Sequence, residues 1–228
     1  MKKLLVATAI SMAMSVTAAH AADTAVLKVQ GKLTNASCTP TLSNGGIVDY
    51  GTIRLGELNA TATNQLGERD ASLTITCSSP TKVGWSITDD RTDSVSPSVN
   101  VKVLGDYSYP TDGSAMGLGK TAGGVAIGNW ALYVVAANVT ADSEHAIPVK
   151  WSDQQPAWQN ATLLPILNGK QHTVMSVISD DATNPNPMAF TQAVYPLKTS
   201  LAIDNTTRLA ITDDTQLDGQ ATITLKYL

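Results

Sequence analysis

Asp23-Thr-Ala-Val-Leu-Lys-Val-Gln-Gly-Lys-Leu-Thr-Asn-Ala-Ser-Cys38 is the stretch that decides the fold. Ala25, Leu27, Val29, Gly31 and Leu33 fall on one face, and Thr24, Val26, Lys28, Gln30 and Lys32 on the other. A period of two belongs to a strand, whose successive side chains point to opposite sides of the sheet. No tight turn leads from it to a partner, and it ends in a cysteine. A lone strand with an apolar face must find a sheet, so the question of function becomes which sheet it joins.

Ahead of that strand the sequence reads as a leader. Lys2 and Lys3 form a positive start, Leu4–Met14 an apolar stretch, and Ala19-His20-Ala21 a small-x-small cleavage site. The expectation is export with cleavage after Ala21, because so short an apolar run does not remain as a membrane span. Losing Lys2 and Lys3 takes the formal charge from −4 to −6. A mildly acidic chain without a basic run argues against nucleic acid as a partner.

Cys38 and Cys77 are the two cysteines of the chain. In an exported protein they are most simply one disulfide, here closing a 40-residue loop. The loop-entropy relation gives such a link about 4 kcal/mol.

The remainder reads as strands and turns. Ala71–Cys77 alternates, with Leu73, Ile75 and Cys77 facing a core. Ile47–Tyr50 is a further alternating fragment, whereas Arg54–Arg69 is polar and reads as a loop. Strands are predicted at Val83–Ile87, Val99–Leu104, Trp130–Val139, Ile147–Trp151, Leu163–Leu167 and His172–Ser179, with one or two around Pro196 in Val194–Ile203. The chain ends in a strand too: Ala221, Ile223, Leu225 and Tyr227 alternate with Thr222, Thr224, Lys226 and Leu228. Short strands separated by turn residues predict an all-β antiparallel sandwich.

Three features taken together resemble the fimbrial subunits (pilins) of the chaperone–usher pathway. Gly31 lies seven positions before the first cysteine in Gly31-Lys-Leu-Thr-Asn-Ala-Ser-Cys38. The second cysteine closes the strand Leu73-Thr-Ile-Thr-Cys77, and tyrosine is penultimate in the last strand, Ala221-Thr-Ile-Thr-Leu-Lys-Tyr227. The likeness covers both ends of the mature chain and is weak across Thr88–Asn205, which is longer than in ordinary pilins. A divergent, pilin-like branch is the expected assignment.

That resemblance implies an immunoglobulin-like sandwich at 34–228 that lacks its final strand. Residues 22–33 would be a donor strand with Ala25, Leu27, Val29, Gly31 and Leu33 as its inserting face. The acceptor groove would be bordered by Ala221, Ile223, Leu225 and Tyr227. The partners implied are a periplasmic chaperone, an outer-membrane usher and neighbouring pilin subunits, and the destination is a fimbria on the cell surface. Self-pairing of residues 22–33 within their own domain stays open. So does a self-complemented binding module, for carbohydrate or another ligand.

Catalytic chemistry finds little support. Gly117-Leu-Gly119-Lys120-Thr121 lacks the first glycine of a phosphate loop, since Ser114 stands in its place. Ser79 and Lys82 have the spacing of a serine–lysine pair, but Pro80 and the flanking strands argue for a turn. His145 and His172 are expected to be isolated, with no metal-ligand spacing, so neither a cofactor nor a metal is implied. Trp85 and Trp130 read as core residues. Trp151 and Trp158, flanking Pro156 in an expected loop at Ser152–Gln159, are the candidates for any ligand contact.

Overall fold

The computed structural model describes residues 36–104, 107–109, 115–161, 166–167 and 172–228, with 107–109 and 166–167 by backbone alone. The expected leader and the segment 22–33, with Ala25, Leu27, Val29, Gly31 and Leu33, lie outside the described residues. The strands are β1 (Cys38–Leu42), β2 (Asn64–Thr81), β3 (Val83–Asp89), β4 (Val101–Val103), β5 (Tyr107–Tyr109), β6 (Met116–Gly117) and β7 (Gly128–Val134). They continue as β8 (Thr140–Ala141), β9 (Glu144–Ser152), β10 (Gln155–Asn160), β11 (Ile166–Leu167), β12 (Thr173–Ser179), β13 (Phe190–Ile203) and β14 (Ala221–Tyr227). One helical turn, α1 (Thr206–Leu209), precedes the last strand.

The fold is all-β and antiparallel. Neighbours run β1-β2-β13-β8-β9-β12-β3-β14, so the sheet bends round until its first and last strands come near each other. Period-two patterning explains the core. Leu73, Ile75 and Cys77 of β2, Val83, Trp85 and Ile87 of β3, and Tyr195 and Leu197 of β13 all point inward and are buried. The rings of Trp85 and Tyr195 meet edge to face, 5.4 Å between centroids.

Several expectations need correction. Ile47–Tyr50 is not a strand, despite its alternation, because the chain there runs as a wall over the sheet rather than in a ladder. The polar stretch Asn64–Arg69, expected as loop, belongs to β2. It pairs with the second half of β13, from Thr199↔Arg69 to Ile203↔Asn64. Polar residues persist there because Gln65 and Glu68 bond the backbone of a second layer, with Glu68 accepting from Leu104 N–H (2.7 Å). Val101 and Val103 of β4 and Val99 pack on Ala131, Tyr133 and Ala202. Gln65 fastens that layer by donating to the Asn100 carbonyl (2.7 Å) and accepting from Lys102 N–H (2.9 Å). Part of the middle of the sequence is therefore a cover for the sheet.

Pro196 does not divide β13, which is one continuous strand of 14 residues. Its carbonyl accepts from Val135 N–H (2.8 Å), so its nitrogen faces the β7–β8 side. On that side β13 changes partner between Val194, opposite β8, and Leu197, opposite β7. The missing N–H falls in the gap between partners and costs no ladder bond.

The β8–β9 hairpin turns at Asp142 and Ser143, both with positive φ (49° and 72°), the pattern of a tight two-residue hairpin turn. The Asp142 carboxylate accepts from the N–H groups of Thr191 and Gln192 (2.9 Å each) and from the Thr191 hydroxyl. Desolvation pushes this carboxyl up, but those hydrogen bonds outweigh it and hold it below the ordinary carboxylate range. A depressed carboxyl stabilises the fold at neutral pH, and the contribution disappears as pH falls from about 4 through the lowered folded value. Asp142→Ala should cost about 1–2 kcal/mol in urea unfolding at pH 7. Asp142→Asn, which tolerates the positive φ and still accepts, should cost less than half of that, and the gap between wild type and D142A should shrink at pH 3.

Candidate functional site

The site begins with what the last strand leaves unpaired. Among the described residues β14 pairs with β3 alone, in unbroken register from Ala221↔Asp89 to Tyr227↔Val83. Just beyond its ends, Asp90 N–H donates to the Gln220 carbonyl (3.0 Å) and Leu228 N–H to the Lys82 carbonyl (3.1 Å). Even-numbered residues therefore bond to β3, and Ala221, Ile223, Leu225 and Tyr227 turn their N–H and C=O groups the other way. Among the described residues these groups have no partner. The side chains of Ala221, Ile223 and Leu225 pack on the core but stay half-buried, and Tyr227 is 57% exposed.

Facing that edge is β1, which among the described residues pairs with β2 alone. Ser78 N–H donates to the Ser37 carbonyl (2.9 Å), so Ser37 bonds toward β2 and Cys38, Pro40 and Leu42 present their backbone groups to the gap. Cys38 and Cys77 stand directly opposite in this ladder, Cα atoms 4.0 Å apart, and form the disulfide. The Cys38 N–H donates across the gap to the Tyr227 hydroxyl (2.9 Å). That bond joins the two edges at one end.

Between and beyond the edges runs a groove of 710 Å³. Its floor near the edges is Leu42, Ala71, Ile87, Leu132, Leu197 and Ile223. Farther along it is Leu118, Ile127, Trp130, Leu201 and Ile203. Two segments wall the far part. In the first, Tyr50 lies 3.0 Å from the Thr199 hydroxyl, with the Arg69 guanidinium 4.9 Å over its ring. Burial pushes the Tyr50 phenol up, against the Thr199 hydrogen bond and the Arg69 charge. In the second, Asp218 receives both arms of Arg91 (2.8 and 3.0 Å), which also reaches Gln220 (2.9 Å). The Arg91 hydrogen bond holds the Asp218 carboxyl below the usual range. Gly219 lets this wall lie against Trp130, since a Cβ there would sit 2.9 Å from the indole nitrogen. An apolar floor with a polar rim and a free strand edge suits a partner with alternating side chains.

Of the residues singled out in the sequence, Ala221 and Ile223 line this groove, and Leu225 and Tyr227 continue the same edge toward the disulfide. Trp130 is a correction. It is half-buried, lines the groove, and donates to the Gly117 carbonyl (3.1 Å). Tyr50, Leu118 and Ile127 went unnoticed in the sequence. The shared face of Trp130, Leu132 and Val134 was the available signal for the floor. Trp151 and Trp158 do not line the groove. Ser152–Gln159 is the tip and second arm of a β9–β10 hairpin rather than a loop, and the two half-buried indoles flank its Lys150↔Gln159 pair. Pro156 is accommodated because β10 is an edge strand with a register shift.

His145 and His172, expected to be isolated, each lie beside a carboxylate: Asp180 at 3.2 Å and Asp153 at 2.8 Å, both pairs at the surface. Among the described residues no three acidic, histidine or cysteine side chains converge on a metal position. Gly117 is in β6, packed so closely on the Arg91 carbonyl that a Cβ would fall 2.1 Å from it, and Ser79 lies in β2.

Comparison with known proteins gives the chain a family. Residues 27–131 match the family model described as "Protein of unknown function (DUF1120)". "Uncharacterized protein YhcF" of Escherichia coli (strain K12) is 31% identical over 242 residues, spanning 99% of this chain and 98% of that protein. "Protein GltF" of the same organism is 30% identical over 257 residues, 100% of this chain and 99% of its own length. The chain belongs to the family of these two proteins.

Proposed function

We propose that the chain is an exported structural subunit of a surface fibre, assembled when residues 22–33 of one copy fill the groove of the next. The observation that carries this reading is the pairing of an apolar groove with the free ladder edge and half-buried inner face of β14. On this reading the strands form an immunoglobulin-like sandwich short of one strand, completed from outside by strand addition. The segment 22–33 offers Ala25, Leu27, Val29, Gly31 and Leu33 at a period of two, matched to the alternation of β14. Burying Leu27, Val29 and Leu33 is worth roughly 5–9 kcal/mol before any hydrogen bond is counted. That rivals the whole stability of an ordinary domain, about 5–15 kcal/mol. An empty groove of this kind is an aggregation hazard, which is why a periplasmic chaperone is the expected first occupant and the outer-membrane usher the site of exchange.

The test is light scattering during size-exclusion chromatography of the mature protein, with and without residues 22–33. Intact protein is expected to form a ladder of oligomers, or a one-to-one complex with its chaperone, and protein without the segment should form no ladder. A stable intact monomer that loses its fold when 22–33 is removed would sink the proposal and make the segment part of its own sheet.

A further inference from the structure

The groove changes character along its length. Its near part runs between the ladder edges of β1 and β14, whereas its far part lies between two walls, 43–58 and 210–220, that contain no strand. We propose that the far part is a binding pocket for a small amphiphilic cation, an apolar chain that carries an ammonium head. Such a ligand needs no added strand along β14, so the pocket does not depend on the assembly proposed above.

Sheet addition draws its affinity from main-chain hydrogen bonds along a continuous edge. Among the described residues the walls of the far part offer no strand edge, and this part is also closed at its end. Just past the first wall, the carbonyls of Asn59 and Ala60 accept from Thr206 N–H (3.2 Å) and Thr207 N–H (3.3 Å) at the start of α1. Leu58 and Leu209 line the groove on either side of that joint. The second wall is tied down in turn by Asp218 N–H, which donates to the Leu118 carbonyl (2.9 Å). An extended strand would run into the joint of the two walls, whereas a flexible chain can end short of it.

The lining names the chemistry. Leu118, Ile127, Leu201 and Ile203 make an aliphatic floor, to which Trp130 adds a half-buried indole. Among the described residues, every charged side chain that lines the groove is an aspartate: Asp49 in the first wall, Asp213 and Asp214 in the second. All three are exposed at the rim, and none has an ion-pair partner among the described residues. Asp49 and Asp213 each accept one local hydrogen bond, from Gly51 N–H (2.7 Å) and from the Thr212 hydroxyl (3.0 Å). Uncompensated carboxylates around an apolar slot attract a cation and repel an anion, and an indole face adds attraction for an ammonium group. The volume, 710 Å³ for the whole groove, falls within the range of small-ligand sites, about 300–1,000 Å³.

The experiment is isothermal titration calorimetry of the mature chain, disulfide intact, with decyltrimethylammonium below its micelle concentration. Neutral decyl maltoside and anionic decyl sulfate are titrated beside it. Wild type is expected to show one saturable site that binds the cation at least about fivefold more tightly than the neutral probe, and the anion more weakly than either. Shortening the cation to octyltrimethylammonium should weaken binding about tenfold, since each buried methylene is worth roughly a factor of four. Asp213→Asn with Asp214→Asn should erase the preference for the cation and leave binding of the neutral probe within about twofold of wild type. About 0.5 M salt should shrink the preference in wild type and change nothing in the double variant. Should the double variant fail to fold, Asp214→Asn alone carries the test with a smaller loss in the same direction. Equal uptake of the three probes overturns the inference, as does a cation preference that survives the substitutions. So does the absence of a saturable site for the cation.

Discussion

Removing the disulfide, by Cys38→Ala with Cys77→Ala, should lower the free energy of unfolding by about 4 kcal/mol, enough to leave the protein largely unfolded at 37 °C. Part of that follows from the loop the bridge closes, part from where it sits. β1 has only five residues and, among the described residues, one strand partner, and its other side faces the gap. Cys38 is where β1 meets the Tyr227 hydroxyl, so loosening β1 also releases a bond that joins the two edges. The loss should appear in urea unfolding as a lower midpoint, with the slope changed little if the unfolded chain keeps its dimensions. A loss below about 1 kcal/mol would mean that β1 is held by its ladder to β2 and that the groove wall needs no covalent anchor.

Much of this fold was legible because its strands obey a strict period of two. Leu73, Ile75 and Cys77 fell on the core face in the sequence and are buried in the structure. Ala221–Tyr227 was legible for the same reason, both as a strand and in the face it turns inward. The misreadings share one physical cause, a local pattern overruled by a distant partner. Asn64–Arg69 looks polar because Gln65 and Glu68 bond the backbone of Asn100–Leu104, residues far along the chain. Ile47–Tyr50 alternates as a strand would, yet Tyr50 is fixed instead by Thr199 and Arg69. The far half of the groove was illegible for a simpler reason. Its floor and walls come from Tyr50, Leu118, Trp130, Leu201 and Leu217, and no local rule brings such scattered residues together.

The largest effect on strand capture is expected from Ile223→Asp. Ile223 sits at the middle of β14, opposite Ile87 of β3, and its side chain lies on the groove floor while remaining half-buried. With the groove open, an aspartate there still reaches water, and unfolding should become easier by only about 1–2 kcal/mol. Once an added strand covers the floor, the same carboxylate is shut into an apolar slot without a cation. A buried, unpaired charge costs several kcal/mol, and each 1.4 kcal/mol is a factor of ten, so affinity for a peptide of residues 22–33 should fall by at least about 100-fold. Thr224→Asp, one residue along on the exposed face, should change neither quantity by more than about 0.5 kcal/mol. Urea unfolding and peptide anisotropy, measured on the same three proteins, separate the two possible occupants. If a strand from outside fills the groove, the penalty falls on binding and spares the isolated fold. If the chain's own segment were seated there, the penalty would move into the unfolding free energy and no peptide would bind even to wild type.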